Sequence, residues 1–428
     1  MYRKIVKKMA KWKNSPYRKP LVLQGARQIG KTFAANEFGR LEYDNTVYFN
    51  FEKDENLKNL FTELYPAALI PKLEYFKKTK IAPKHTLIIF DEIQACPAAI
   101  ASLKYFFEEA NQYHVITLGS LLGVAANREE FSFPVGKVDF MTMGPMDFEE
   151  YLLARGDNFL IERIFNSYQK FSPMEFHEQA LQIYKEYLLV GGMPEVVRIF
   201  LETKNFELVR EKQTDIIQGY FNDMSKYNRQ TEIPKTRLLY KNMNICLSKE
   251  NKKFMYKCIK NNARSSEYEN AVQWLSMAGI ACQVHRLEQI KLPLEAYKSL
   301  SDFKFYMNDV GLCSGSMNIL PQDVFGEDPA FADFKGGLTE NYICNALENN
   351  GHKLFYWTSG NQAEVDFVTR IEDDIIPIET KSNKNTRSRS LGEYAKRYSP
   401  KYAIRFSQKN FGFENGIKSI PLYAAYVL

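Results

Sequence analysis

Between residues 20 and 150 short apolar runs alternate with stretches of helical spacing. Leu21-Val22-Leu23, Val47-Tyr48-Phe49, Leu87-Ile88-Ile89-Phe90 and Val115-Ile116-Thr117-Leu118 mark strands over 20–24, 46–51, 86–90 and 114–118, with a fifth near 137–143. Helical patterns fill 31–38, 57–64, 66–78 and 97–111. Strands apolar at nearly every position, alternating with helices, predict an α/β domain with a mostly parallel sheet over residues 1–150. The pattern then changes. Leu152, Phe159, Ile164, Tyr168, Phe171, Leu181, Tyr184 and Leu188 recur at helical spacing and predict a helical lid over 151–234, broken at Val190-Gly191-Gly192-Met193-Pro194-Glu195. Helical patterns at 235–248, 252–260 and 265–278, followed by strand-like pieces at 281–287 and 302–307, predict a winged helix over 235–320. Its third helix offers Glu267 and Glu269 with only Arg264 at the start, which is a poor phosphate-binding face and favours a spacer role. The remainder, 321–428, reads as a second α/β domain: a helix from about 338, strands near 353–357, 363–368 and 375–381, and a helix carrying Leu391, Tyr394 and Tyr398.

The first strand runs directly into Gly25-Ala26-Arg27-Gln28-Ile29-Gly30-Lys31-Thr32, the spacing of a phosphate-binding P-loop. Glycines let the backbone curl so that its N–H groups face phosphate oxygens. Lys31 is then the cation for the β- and γ-phosphates, and Thr32 offers its hydroxyl to Mg²⁺. The helix that follows sets its positive end beneath the anion. The strand ending Phe90-Asp91-Glu92 supplies the complementary element: Asp91 to hold Mg²⁺ through its water shell and Glu92 to orient the attacking water. Ser120, at the tip of the fourth strand, is a candidate γ-phosphate sensor, with capping of the next helix as its plainer role. No Asn-Lys-x-Asp occurs, since Asn383-Lys384-Asn385-Thr386 lacks the acid that reads guanine, so ATP is the expected nucleotide.

Composition narrows the class further. With 45% hydrophobic and 25% charged residues the chain is ordinary globular protein rather than disordered. It has no apolar run of about 18 residues and no secretory apolar segment at the N-terminus. Six cysteines and five histidines are scattered without metal-binding spacing, which suits reduced thiols in a cytoplasmic protein. The net charge of +6 is unevenly placed. Residues 1–20 hold eight Lys or Arg and no acid, and 381–405 hold eight against the single acid Glu393. Basic patches attract polyanions. The first stretch equally reads as an amphipathic helix, with Ile5, Val6, Met9 and Trp12 on the face that caps the ATPase core.

A second chemical pattern lies near the C-terminus. Glu340 falls in a helical segment, Asp366 on a strand, and Glu379-Thr380-Lys381 on the next. Residues 379 and 381 share a strand face. Two carboxylates such as Asp366 and Glu379 can hold a divalent metal, and a lysine beside them stabilises hydroxide or phosphate charge. The arrangement resembles that of PD-(D/E)xK nucleases, with Val365-Asp366 in place of the usual proline-aspartate and Glu340 as the upstream helical acid. The plainer alternative is a surface strand with an ion pair.

The order of the P-loop, Phe90-Asp91-Glu92, Pro145-Met146-Asp147-Phe148-Glu149-Glu150-Tyr151, Gly191-Gly192-Met193-Pro194, Ala363-Glu364-Val365-Asp366 and Ile378-Glu379-Thr380-Lys381 resembles prokaryotic AAA-type P-loop ATPases. Their C-terminal domain, of unknown function, is similar to the restriction-endonuclease fold. The resemblance covers almost the whole chain and implies ATP binding with hydrolysis. It also implies an arginine after the glycine before the fifth strand. Here that pair is Gly136-Lys137, which leaves Arg128 as the alternative.

These readings converge on an ATPase using ATP and Mg²⁺, with the P-loop sheet, helical lid, winged-helix middle and endonuclease-like module in that order. The leading role for the module is to engage DNA or RNA through its basic segment, with or without cleavage; the alternative is docking of a protein partner with an inert acidic cluster. A homo-oligomer is compatible with both.

Overall fold

Strands β1 (Leu21–Gln24), β2 (Asn45–Asn50), β3 (Thr86–Asp91), β4 (His114–Gly119) and β5 (Asp139–Thr142) form one parallel sheet in the order β2-β3-β4-β1-β5. This is a computed structural model, describing residues 1–119, 134–248, 253–260, 263–326, 331–360, 363–384 and 389–428. The chain divides into two compact units: residues 2–144 with 277–279, and residues 145–276 and 280–428 with Met1. Among the described residues no helix is long and apolar enough to cross a membrane.

In the first unit β3 and β4 are buried at every position, as a parallel sheet covered on both faces requires. Helices Lys31–Glu42, Pro66–Lys77 and Pro97–Glu109 follow the predicted alternation. The basic N-terminal stretch resolves into a helix, Ile5–Lys13, that buries Ile5, Val6, Met9 and Trp12. The Trp12 ring lies 6.4 Å from that of Phe38 and 6.3 Å from that of His114. Two of its cations are engaged locally, Lys13 with Glu42 at 3.3 Å and Arg18 with the Asn111 carbonyl, while Lys7, Lys8 and Lys11 are exposed. The buried face is the apolar one that the sequence marks.

The second unit opens with helices Phe148–Arg155, Asn158–Lys170, His177–Val190, Pro194–Thr203 and Phe206–Tyr227. The first starts at a capping box, where Asp147 accepts from the Glu150 N–H and the Glu150 carboxylate accepts from that of Asp147. The remaining strands are β6 (Ala281–Leu287), β7 (Lys298–Met307), β8 (Phe355–Thr358), β9 (Glu364–Ile371), β10 (Asp374–Thr380), β11 (Ala403–Ser407), β12 (Gly412–Glu414) and β13 (Ile417–Pro421). They form one sheet in the order β12-β13-β11-β10-β9-β8-β6-β7.

Here the structure departs from the sequence expectation. The β6–β7 hairpin was expected inside a separate winged helix ending at 320. Instead β6 pairs in parallel with β8, His285 opposite Phe355 and Arg286 opposite Tyr356. The expected boundary at 320/321 therefore runs through a continuous sheet. Of the expected helix at 252–260, the described residues show only a 3-10 turn, Tyr256–Cys258. Five consecutive residues of β7, Phe303–Met307, are buried. A hairpin buried on both faces joins a larger sheet, but alternation within it does not say which strand lies beside it.

The Gly191-Gly192-Met193-Pro194 break has a packing cause. Gly191 has φ 74°, and a Cβ there would meet Asp309 Oδ1 at 2.3 Å. A Cβ on Gly192 would meet the Met146 carbonyl at 1.9 Å. The close approach lets Met146 N donate to Gly192 O at 2.7 Å, and Gly192 N to Asp309 Oδ2 at 2.6 Å. Asp309 also accepts from the Leu312 N–H at 2.8 Å. Burial pushes the Asp309 carboxyl up from 3.8 to about 6, against the opposing pull of these N–H groups. Because the folded value exceeds the unfolded one, the native state holds a proton that the unfolded chain has released between about pH 4 and 6. Stability from this group therefore falls as pH rises through that window, by on the order of 3 kcal/mol. Urea midpoints measured from pH 4 to 7 should show a flatter profile for Asp309→Asn than for the wild type, and identical slopes would exclude this origin.

Candidate functional site

At the end of β1 the chain turns into the loop Gly25–Gly30, and Lys31 begins the helix Lys31–Glu42. Gly25 (φ 151°) and Gly30 (φ 87°) adopt conformations open to glycine, and Gln28 takes φ 64° at the loop tip. A Cβ on Gly25 would meet the Met143 carbonyl at 2.2 Å, so the loop lies against backbone that cannot yield. Ile29 is fully buried and anchors the loop. Arg3, itself buried, donates to the Ile29 carbonyl and to Gly144 O at 2.7 Å, tying the loop to the N-terminal segment. Lys31 Nζ donates to the carbonyls of Gly25 (3.0 Å) and Ala26 (2.7 Å), which holds the ammonium over the loop. Arg27 completes the loop between Ala26 and Gln28.

β3 delivers the partner residues. Asp91 Oδ2 accepts from the Thr32 hydroxyl at 2.9 Å and from the Tyr48 hydroxyl of β2. Asn50 in turn donates to Tyr48 at 3.1 Å. Burial and the neighbouring Asp91 outweigh the Asn50 hydrogen bond and push the Tyr48 phenol up to about 12, so it remains a donor at neutral pH. Glu92 has left-handed backbone angles (φ 51°, ψ 44°), which turn its side chain out of the strand. Gln94 donates to the Glu92 carboxylate and fixes its orientation. The Thr32 hydroxyl and Asp91 carboxylate are hard oxygen donors already within 2.9 Å of each other, a set that fits Mg²⁺. Ser120 and Arg128 lie outside the described residues. Lys137 forms an ion pair with Glu108 at 2.8 Å on the surface of this unit.

In the second unit, β9 and β10 pair antiparallel with Ile378 opposite Phe367, and Asp366 and Glu379 each lie one residue beyond that pair. Asp366 Oδ2 accepts from the Thr380 N–H at 2.7 Å. The carboxylates that cluster are Glu340, Glu364 and Asp366, with ligand oxygens all within 4.8 Å of one another. Glu379 instead pairs with Lys381 at 3.3 Å and with Arg405 at 3.2 Å. Lys304 of β7 reaches Glu340 at 2.7 Å and Glu364 at 2.5 Å, and lies 3.9 Å from Asp366. Burial pulls the Lys304 ammonium down, but the three carboxylates outweigh it and hold it well above its usual range. Asp366 and Glu379, the expected metal pair, thus have different nearby cations, Lys304 near Asp366 and Lys381 with Arg405 on Glu379. The three clustered carboxylates are close enough to converge on a metal ion, and the Lys304 ammonium already lies among them.

Part of the basic segment is paired with carboxylates, while Arg389 and Lys396 are exposed. Lys384 pairs with Glu178 at 3.1 Å, Arg397 with Glu393 at 2.8 Å and Lys401 with Asp374 at 3.1 Å, while Arg387 lies outside the described residues. Several residues here were not singled out from sequence: Arg3, Tyr48, Gln94, Lys304, Glu364 and Arg405. Two had a legible signal. Glu364 is two residues before Asp366 on a strand and shares its face. Lys304 stands between Phe303 and Phe305, an ionisable residue inside an apolar strand.

Comparison with known proteins fits the first unit. Residues 17–152 match a family model described as AAA domain. The match supports an AAA-type P-loop domain over these residues. Two further models match the rest: "Domain of unknown function (DUF8612)" at residues 181–323 and "Domain of unknown function (DUF4143)" at 335–425. No curated protein sequence matches the chain. Among solved structures, a Walker-type ATPase of Pyrococcus abyssi is 13% identical, with 74% of this chain and 95% of that one covered at a TM-score of 0.46. The Aeropyrum pernix ORC1 protein in complex with DNA is 12% identical, covering 74% and 91% at 0.26. AMPPCP-bound DnaA from Aquifex aeolicus is 12% identical, covering 64% and 86% at 0.29. Superpositions this loose carry nothing about the site.

In this domain Gly25 has no room for a side chain. Gly25→Ala should lower stability by roughly 1–3 kcal/mol and abolish binding of a fluorescent ATP analogue, because the new methyl meets backbone rather than a movable side chain. Unchanged melting and binding would show that the loop has another way to relax.

Proposed function

We propose that the protein is an ATP-hydrolysing switch. The observation that carries this reading is the meeting of Lys31, Thr32 and Asp91, with Glu92 next in the chain, at the carboxyl ends of β1 and β3. Lys31 exchanges its loop carbonyls for the β- and γ-phosphates of ATP. Thr32 and Asp91 hold Mg²⁺, which when bound neutralises charge on those phosphates. Tyr48 keeps the Asp91 carboxylate oriented, and Glu92 orients the attacking water once its bond with Gln94 is released. Lys31→Ala should reduce turnover by at least about 100-fold, since an electrostatic contact to the reacting group is lost. Glu92→Gln should retain ATP while failing to hydrolyse it. Phosphate release and analogue binding, measured on both variants, separate the two effects. Normal turnover in Glu92→Gln would remove Glu92 from the reaction.

For the C-terminal module we favour docking of a protein partner, controlled by nucleotide state, over engagement of nucleic acid. Support comes from the ion pairs that occupy Lys381, Lys384, Arg397, Lys401 and Arg405. Cations already paired with carboxylates release fewer counterions on meeting phosphate. ATPase rates with and without DNA or RNA should then be the same. Fluorescence anisotropy over a salt series should show weak binding that is unaltered in Arg387→Ala/Arg389→Ala. Nucleic-acid-stimulated turnover, together with a steep salt dependence lost in that double variant, would reverse the preference.

A further inference from the structure

The acidic cluster of the second unit contains a cation built into the chain. Lys304 is fully buried on β7, with its ammonium in salt-bridge range of Glu340 and Glu364 and 3.9 Å from Asp366. Glu340 is fully buried on the helix Ala332–Asn349, and one of its oxygens accepts from both Lys304 and the Tyr306 hydroxyl. The Tyr356 ring lies 5.2 Å from Nζ and faces the same charge. Glu364 and Asp366 sit nearer the rim, with side chains 27% and 13% exposed. Glu340, by contrast, is compensated from within.

This geometry competes with a metal. Carboxylate oxygens within 4.8 Å of one another could converge on an ion with oxygen bonds of about 2.0–2.6 Å. The Lys304 ammonium lies among those oxygens and competes with a divalent cation for them. The Lys304 side chain is fully buried, so its charge is met by these carboxylates rather than by bulk solvent. Glu379, the other acid expected to bind metal, is matched by Lys381 and Arg405.

We propose that Lys304 is the resident cation of this cluster, so that the module holds a lysine-neutralised ion network in place of a divalent-metal site. The network joins β7, the helix Ala332–Asn349 and β9 at one buried point. It makes the module unable to hydrolyse phosphodiesters by metal-assisted attack. The inference stands apart from ATP hydrolysis and does not depend on it.

The test uses the full chain carrying Lys31→Ala, without nucleotide, so that nucleotide-linked metal binding is not read. Manganese is titrated and free Mn²⁺ followed by electron paramagnetic resonance. With Lys304 intact, no stoichiometric Mn²⁺ should bind. In Lys304→Met one Mn²⁺ should bind per chain, and the site should vanish when Asp366→Asn is added. The melting midpoint of Lys304→Met should drop in EDTA and recover with Mn²⁺. Stoichiometric Mn²⁺ binding by the chain with Lys304 intact, lost on Asp366→Asn, would overturn the proposal. So would a folded Lys304→Met that gains no Mn²⁺ site. If Lys304→Met does not fold, the chain with intact Lys304 still decides. Absence of binding there supports the proposal, and Mn²⁺-dependent cleavage of plasmid DNA that is lost in Asp366→Asn overturns it.

Discussion

The parallel ladder β3–β4–β1 is the constraint on which the P-loop site depends. Ile116 of β4 is opposite Leu21 of β1 on one side and Ile89 of β3 on the other. All three strands run the same way, so the P-loop after β1 and the acids at the end of β3 emerge at the same edge. A slip of one residue in β3 would turn Asp91 to the opposite face and break its bond with Thr32. Burial on both faces opposes such a slip, since it would move every apolar side chain of β3. The loop is then fixed by contacts that leave little freedom: Gly25 against the Met143 backbone, and Arg3 on the Ile29 carbonyl.

The two units handle charge differently, and the contrast follows from what each charge has to do. Lys31 sits at the start of a helix, partly buried, on carbonyl oxygens that phosphate oxygens can replace. Lys304 sits inside a strand, fully buried, on carboxylates that bind it through charge as well as hydrogen bonds. A cation that must reach a ligand is held weakly near solvent. One that braces a core is enclosed, and removing either partner of a buried pair typically costs about 3–5 kcal/mol. Asp309 is a third case: a buried acid supported by backbone N–H groups, with its charge penalised by burial.

The P-loop was readable because its residues are contiguous and because strand and helix periodicities flank it on the correct sides. The five strands of the first sheet appear within two residues of where their apolar runs placed them, and the helix break at Gly191-Gly192 falls where the sequence marks it. The reason for that break was not readable. It lies in Met146 and Asp309, far away in the chain. The basic segments illustrate the same limit. Composition shows how many cations they hold, yet Lys384 meets Glu178 across 206 residues of sequence.

By itself, then, the sequence determined the local elements, the nucleotide-binding loop and the acids that complete it, since each arises from neighbours in the chain or from strand parity. Tertiary structure alone decided that the β6–β7 hairpin joins the C-terminal strands through β8. It also decided that Glu340, Glu364 and Asp366 gather around Lys304 while Glu379 turns to Lys381 and Arg405. Strand neighbours and charge partners are chosen by packing across long separations, and no periodicity within one segment encodes them.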